Sequence, residues 1–366
     1  MAFTFIKPNI NLDFIGKRNI AYAISALLLL VGLVSALTGG VSLGIDFAGG
    51  LVMQVQFQKP VGDEALKKGL DSAKLPDIVI QRFGEDGREH LLRFSTLDAD
   101  ASGLRAQVTD TLGSVFPDNP AEIQRLEVVG PKIGADLINK ALAALYYAVL
   151  LMAVYISGRF EQRWMAAAAM AAVLWGGMYL LGLTGLGMGD LVMLALGITL
   201  AVCFFLKLNF AFGAVVGLLH DVLVTVGLLS VMKVEIDLNV LAAIMTLIGY
   251  SINDTIIVYD RLRENLRSAV KLPFDALVNK SVNQTLSRTI LTSGTTLLAT
   301  LAIFVFGGGV IHNFALTMLI GVFVGTASSV YISSSILLVL GDTEFYRRQQ
   351  EKFQQKYERP GEHGMV

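Results

Sequence analysis

Residues 238–259, LNVLAAIMTLIGYSINDTIIVY, carry a single formal charge, Asp254. A helix needs roughly 20 mostly apolar residues to cross a hydrocarbon core, so this run reads as a membrane span. The same reading carried outward finds further spans at roughly 19–38, 136–157, 164–184, 189–207, 210–232, 288–307 and 313–340, which makes eight. Composition agrees: 54% of the 366 residues are hydrophobic and 16% are charged, against about 25% charged in a soluble domain. A conventionally solvated globular surface is excluded. The net charge of −1 offers no basic field for nucleic acid. The single cysteine, Cys203, lies inside an apolar run, so disulfides and thiolate metal sites are excluded. There is no Gly-x-x-x-x-Gly-Lys phosphate cradle and no hydrolase triad. The expectation is a protein that is not an enzyme and uses no cofactor or metal, with its energy coming from ions or a partner.

Lys17 and Arg18 precede the apolar stretch Ile20–Leu37, which is too long for a signal-peptide core and lacks a small-x-small cleavage site. It reads as a retained first span. Lys and Arg then set the orientation. Lys7, Lys17 and Arg18 come before the first span, Arg159 and Arg163 after the second, and Lys207 ends the fourth. Arg261, Arg263, Arg267, Lys271 and Lys280 follow the sixth, and Arg347, Arg348 and Lys352 the last. All lie on one side if both termini are cytoplasmic. The opposite loops at 185–189 and 308–312 carry no Lys or Arg, and the loop at 233–237 has only Lys233.

Residues 39–134 are polar and long enough to fold alone on the extracytoplasmic side. Strand-like alternation runs through Leu51–Gln58, Ile78–Phe83, Leu91–Ser95 and Ile123–Val129. Helical stretches fit at Gly62–Ala73 and Ala101–Phe116, and Glu85-Asp86-Gly87 makes a hairpin turn between the middle strands. The order β-α-β-β-α-β is that of a ferredoxin-like unit. The fold class expected is a multi-span α-helical bundle with a small α/β ferredoxin-like extracytoplasmic domain.

Ionisable groups inside spans are costly, and each is a functional hypothesis. Asp254 lies six residues before Asp260, roughly 9 Å inside the cytoplasmic end. A carboxylate there suits reversible protonation, and Tyr250, Ser251 and Asn253 offer it hydroxyl and amide partners. The plainer reading is a carboxylate that only hydrogen-bonds a neighbouring helix. Arg288, at the entry to the seventh span, can act as a snorkelling topology anchor or, if its helix begins near Asn283, pair with Asp254. His220 and Asp221 sit in the middle of the fifth span. They point about 100° apart and so do not simply pair with each other; a buried structural role and a relay are both open. Gly321-x-x-x-Gly325, followed by Ser328 and Ser329, permits close helix packing. Gly307-Gly308-Gly309 reads as a bend at the outer end of the seventh span.

Several segments taken together resemble the SecF family, bacterial accessory subunits of the Sec translocase. After the first span stands Gly44-Ile45-Asp46-Phe47-Ala48-Gly49-Gly50, similar to the family's glycine-rich entry to its outer domain. Val129-Gly130-Pro131-Lys132-Ile133-Gly134 precedes the second span. Leu218-Leu219-His220-Asp221-Val222 resembles a mid-membrane His-Asp element. Gly249-Tyr250-Ser251-Ile252-Asn253-Asp254-Thr255, continuing through Asp260-Arg261-Leu262-Arg263-Glu264-Asn265, is the longest match, followed by Ser281-Val282-Asn283-Gln284-Thr285-Leu286-Ser287-Arg288-Thr289.

The resemblance implies a subunit that works with SecD beside the SecYEG channel, with YajC and YidC as further candidate neighbours. The SecD–SecF pair is similar to RND exporters, using proton flow to move outer domains that bind unfolded preprotein. It also implies that Asp254 and Arg288 serve proton passage. The implied layout is a cytoplasmic segment 1–18, first span 19–38, extracytoplasmic domain 39–134, second span 136–157, hairpin 164–207, four-span core 210–340 and cytoplasmic tail 341–366 in an inner membrane. The family's usual core has six spans. Arg159-Phe160-Glu161-Gln162-Arg163-Trp164 resembles the turn after its second span, and its next span resumes near Phe210, so the hairpin is an insertion. Two other readings stand beside this one: a stand-alone proton-coupled exporter of small molecules or lipids, and a passive translocon scaffold. A carboxylate among hydroxyls suits either protons or sodium.

Overall fold

The computed structural model describes residues 11–71, 78–83, 86–94, 101–161, 164–183, 185–267 and 272–340. Among them, the long helices are α1 (Arg18–Gly39), α5 (Pro131–Glu161), α6 (Trp164–Gly182), α7 (Met188–Phe205), α8 (Asn209–Val231), α9 (Leu238–Arg267), α10 (Phe274–Phe306) and α11 (Gly309–Ser328). A π-helical turn, Ser329–Ser333, joins α11 to α12 (Ser334–Leu340). Seven of these helical segments are long and apolar enough to cross a membrane, the last being Ile311–Leu340. In α6 the apolar run is shorter, Ala167–Gly182. The chain is a multi-span helical membrane protein.

The middle of the bundle is α8, α9 and α11, packed on one another, with α10 against α9 and α11. α1 and α5 flank α8, and the α6–α7 hairpin packs on α5. Many outward-facing positions are apolar, as in Leu27, Leu30, Trp175, Tyr179, Phe205 and Leu298. In lipid such side chains need no cover. The hairpin's two ends meet: Glu161 Oε1 accepts the Phe210 amide at 2.9 Å, and the Phe160 and Phe210 rings stack 5.5 Å apart.

Between α1 and α5 lies an α/β domain, the one expected on the outer side. After α2 (Ile45–Ala48) come β1 (Gly50–Phe57), α3 (Asp63–Asp71), β2 (Ile78–Phe83), β3 (Glu89–Phe94), α4 (Ala101–Val115) and β4 (Ala121–Val129). All pairings are antiparallel in the order β2-β3-β1-β4, with a register shift at Gln54/Val55. Alternation fixes which face is buried: Met53, Val55, Leu92 and Phe94 point at Leu66, Leu70, Val108 and Leu112 of the two helices. Gly87 turns the hairpin at φ +62°. Glu85, the rest of that expected turn, lies outside the described residues, as do Lys7, Arg163, Lys271 and the tail beyond 340.

The domain is rooted in the bundle. Ser42 and Gly44 pair with Ile236 in the turn between α8 and α9 (Ile236 N to Ser42 O 2.8 Å, Gly44 N to Ile236 O 2.7 Å). Arg93 on β3 grips Glu235 of the same turn with both guanidinium nitrogens. The entry motif makes this rooting possible: Gly49 and Gly50 take φ of +75° and +133°, and a Cβ on Gly50 would sit 2.7 Å from the Phe94 carbonyl oxygen. Only glycine tolerates both demands. Gly130 precedes Pro131, which opens α5 at the first helical position, where a missing N–H costs nothing.

Candidate functional site

Asp254 is 1% exposed, on the face of α9 that meets α10 and α11. Its Oδ2 accepts one bond, from Ser293 Oγ of α10 at 3.3 Å. Thr326 Oγ1 of α11 lies 2.7 Å from Ser293 Oγ and 2.7 Å from the Val322 carbonyl, so its one proton serves either. Asp254 Oδ1 has no hydrogen-bond partner among the described residues, and no Lys or Arg comes within 4.0 Å of the carboxylate there. A buried carboxylate in that state is relieved by taking a proton or a small cation. Three helices thus meet in one polar layer, Asp254 of α9, Ser293 of α10 and Thr326 of α11.

Local sequence explains how α10 reaches this layer. Ser281, Thr285, Thr289 and Ser293 recur at every fourth residue, which puts them on one helical face, and all four are buried. Ser281 and Thr285 bond back to their own helix, to Leu277 O at 2.8 Å and Ser281 O at 3.1 Å. The Thr289 hydroxyl is buried without a hydrogen-bond partner among the described residues. Sequence reasoning missed Ser293, although the four-residue period of hydroxyls was the signal that leads to it.

The expected neighbours of Asp254 are arranged otherwise. Ser251, one turn earlier, faces α8 and donates to Asp221 Oδ2 at 2.5 Å. Asn253 is exposed, one helical step round from the buried face. The Tyr250 hydroxyl is buried without a hydrogen-bond partner among the described residues. None of the three bonds to Asp254. Arg288 lies fourteen residues into α10, which begins at Phe274 rather than near Asn283, and it is exposed on the outer face. It forms no ion pair with Asp254 in this conformation. His220 and Asp221 do bond to each other, Nδ1 to Oδ1 at 2.9 Å, contrary to expectation. The 100° step separates the Cα–Cβ directions, but rotation about the side-chain bonds brings ring and carboxylate together. Asp221 is therefore satisfied on both oxygens, by His220 and Ser251. Gly325 lets α11 approach this pair: a Cβ there would lie 3.2 Å from Ser251 Cβ and 3.3 Å from Asp221 Oδ2. Gly321 faces Leu247 of the same helix. The small-residue motif thus packs within the chain, against α9.

Two further acids hold α9 at its outer end. Asp46 of the glycine-rich entry accepts the Leu238 amide at 3.0 Å, and Asp237 accepts the Val240 amide at 2.8 Å. They satisfy orphan donors of the first turn, as helix caps do. Burial pushes the Asp237 carboxyl above its ordinary range and Asp46 nearby adds to this, while the bonds from Val240 and Asn239 pull it back. The entry motif thereby positions the helix that carries Asp254.

Comparison with known proteins bears on this arrangement. The family model described as protein export membrane protein SecD/SecF, C-terminal, matches residues 107–188 and 183–343. The SecD/SecF GG motif model matches residues 34–61, around Gly49 and Gly50. Protein translocase subunit SecF of Calditerrivibrio nitroreducens is 36% identical over 338 residues, covering 92% of this chain and 96% of the relative. The SecF of Magnetococcus marinus is 38% identical, covering 92% and 94%, and that of Escherichia coli O157:H7 is 35% identical, covering 95% and 92%. The crystal structure of SecDF, a translocon-associated membrane protein from Thermus thermophilus, superposes with a TM-score of 0.67 at 30% identity. That match covers 92% of this chain and 39% of the SecDF chain, so this chain spans about two fifths of that longer polypeptide. Family models over most of its length, and relatives above 30% identity along nearly all of it, make this chain a member of the SecD/SecF family of protein-export membrane proteins, on its SecF side.

Proposed function

We propose that the chain is the SecF-type half of a proton-driven device in Sec protein export, working with SecD to promote translocation and release of preprotein across the cytoplasmic membrane. The observation that carries this is the Asp254–Ser293–Thr326 layer, a buried carboxylate with one oxygen unoccupied where three spans meet. Moving one charge across the membrane releases about 2.3 kcal/mol per 100 mV, and loading or unloading Asp254 is the step that would capture it. Bond-breaking chemistry has no part in this scheme.

A second half is supported by what this one leaves uncovered. Thr246, Gly249 and Asn253 on α9, with Gln284, Arg288 and Thr295 on α10, are exposed. Polar side chains at membrane depth ordinarily face other protein, so this face suits the SecD half. In that assembly Arg288 would face the partner and reach Asp254 only when α10 turns. Both termini are read as cytoplasmic, since Lys17, Arg18, Arg159, Lys207 and Arg261 gather at one end. The outer domain then meets preprotein on the far side. Its strand order and its β-α-β-β-α-β sequence support the ferredoxin-like assignment. We read α6 and α7 as a membrane hairpin, giving eight crossings and leaving the core's orientation unchanged.

The test is preprotein release from spheroplasts whose only copy of this chain carries Asp254→Asn, at matched abundance. Release is expected to fall to the level of cells lacking the chain while SecD still co-purifies. Release at the wild-type rate would remove Asp254 from the mechanism and favour a passive scaffold. A stable homodimer active without SecD would favour a stand-alone exporter.

A further inference from the structure

Residues 12–16, ahead of α1, belong to no helix or strand, yet two asparagines one turn apart on α10 hold them in place. Asn283 accepts the Leu12 amide at 2.8 Å and donates to the Leu12 carbonyl at 2.9 Å. Asn279 accepts from Phe14 N at 2.9 Å and Ile15 N at 3.3 Å, and donates to Leu12 O at 3.0 Å. An asparagine amide offers acceptor and donor together, as a neighbouring strand would. So clamped, the segment lays the Phe14 ring edge-on against Tyr331, 5.7 Å between centroids. Both rings cover a cluster of Val258, Val282 and Val330. Val258 is one turn beyond Asp254 on α9, and Val330 one turn beyond Thr326 along the α11 line. Val282 lies eleven residues from Ser293 on α10, ~16 Å along the axis. Apolar side chains thus cap the three helices of the polar layer on the Lys17–Arg261 side, with Phe14 packed on them, and along α10 the buried Thr285 and Thr289 fall between Val282 and Ser293.

We propose that residues 12–16 form a gate over the cytoplasmic mouth of the Asp254 site, with Phe14 as its plug and the Asn279–Asn283 pair as its latch. Hydrophobic constrictions close ion paths by excluding water. Here the plug belongs to no span, and Ile15 beside it, 4% exposed, is anchored in the bundle core, so opening lifts Phe14 while Ile15 holds the segment to the bundle. Its purpose rests on the ion-path reading of Asp254; its geometry does not.

The experiment uses the full chain with SecD in inverted membrane vesicles, with Cys203→Ser to remove the native thiol and Val258→Cys as reporter. A membrane-impermeant methanethiosulfonate reagent is added on the cytoplasmic face, and the rate of modification is measured. With the latch intact the reporter reacts slowly. Phe14→Ala, and separately the double substitution Asn279→Ala/Asn283→Ala, raise the rate about tenfold or more, the change that follows from weakening the closed state by ~1.4 kcal/mol. Phe14→Leu refills the mouth and returns the rate toward the starting value, which separates plugging from general loosening. An unchanged rate in both opened variants, or a reporter that already reacts as fast as an exposed cytoplasmic cysteine, overturns the gate. Because modification reads the gate and preprotein release reads Asp254, each reading can fail without the other.

Discussion

The two membrane-embedded aspartates differ in how completely they are satisfied. Asp221 receives His220 on one oxygen and Ser251 on the other, so both of its oxygens are engaged, and the atom of that pair left without a partner among the described residues is the buried His220 Nε2. Asp254 has one long bond and an unoccupied oxygen, so it carries the unmet demand that a mobile cation would fill. That Asp254 is buried could be read from its place in an apolar run. Ser293, the hydroxyl that meets it, lies thirty-nine residues further on in another helix, so the four-residue hydroxyl period of α10 pointed to it and nothing near Asp254 in the sequence did. A third acid, Asp237, allows a stability test outside the spans. Its carboxyl is raised above the ordinary 3.8 by burial, so the folded chain holds that proton more tightly than the unfolded chain does. Stability should then fall as pH rises from 3.8 through the raised value, and the penalty is fully present above it. Asp237→Asn keeps a good capping side chain and removes the charge. We expect it to match or exceed wild-type thermal stability in detergent at pH 7 and to flatten the pH dependence in that window. Asp237→Ala loses the bond to Val240 and should cost about 1 kcal/mol. An Asn variant as unstable as the Ala variant at pH 7 would show that the charge itself is needed.

Among the elements, the contact of α11 with α9 shows how a glycine pair can be unequal. A Cβ at Gly321 would meet the Leu247 Cδ2 methyl at 2.5 Å, the movable end of a side chain. At Gly325 it would meet Ser251 Cβ at 3.2 Å and the Asp221 carboxylate at 3.3 Å, and both are already fixed by their mutual bond. Gly321→Ala should therefore be accommodated by a Leu247 rotation. Gly325→Val should cost about 1–3 kcal/mol, the usual range for overpacking, and should separate Ser251 from Asp221. Thermal unfolding of the two purified variants beside wild type gives the comparison; equal losses would mean that the Ser251–Asp221 pair does not set the close approach. The spacing of these glycines was legible in the sequence, but not which helix they face, since small-x-x-x-small serves a neighbour in the same chain as well as a partner. The start of α10 was misjudged for a related reason. Its first three turns, from Phe274, are polar enough to resemble a loop, and they become helical because Leu277, Val278 and Val282 find apolar neighbours in the bundle and its N-terminal strap. The strap of residues 12–16 shows no period at all and is held by side-chain amides from 264 to 271 residues away, which no local pattern encodes.

At the scale of the whole molecule, the four-stranded α/β unit and the long apolar helices were legible, the first from the period of two in its strands and the second from unbroken apolar runs. The hairpin of α6 and α7 was legible as a pair of apolar runs, and the structure adds how it is attached. It leaves the core after Glu161 and returns at Phe210, and those two residues touch through the Glu161 carboxylate and the Phe210 amide. A loop whose ends already meet can be removed without pulling on what remains. α7 buries Leu191, Ala195 and Cys203 against the core, but lipid tails can take their place, since in a bilayer packing rather than the hydrophobic effect holds helices together. None of the residues of the Asp254 layer, the Asp221 pair or the N-terminal strap touches the hairpin through a hydrogen bond among the described residues. Deleting residues 164–207 should therefore lower the apparent unfolding temperature while SecD still co-purifies. Preprotein release should stay within about twofold of wild type, the scale of a perturbation near 0.5 kcal/mol. If release collapses while abundance and SecD binding hold, the hairpin takes part in export itself, and its outward face, with Trp175 and Tyr179 exposed, becomes the surface on which to look for the component it meets.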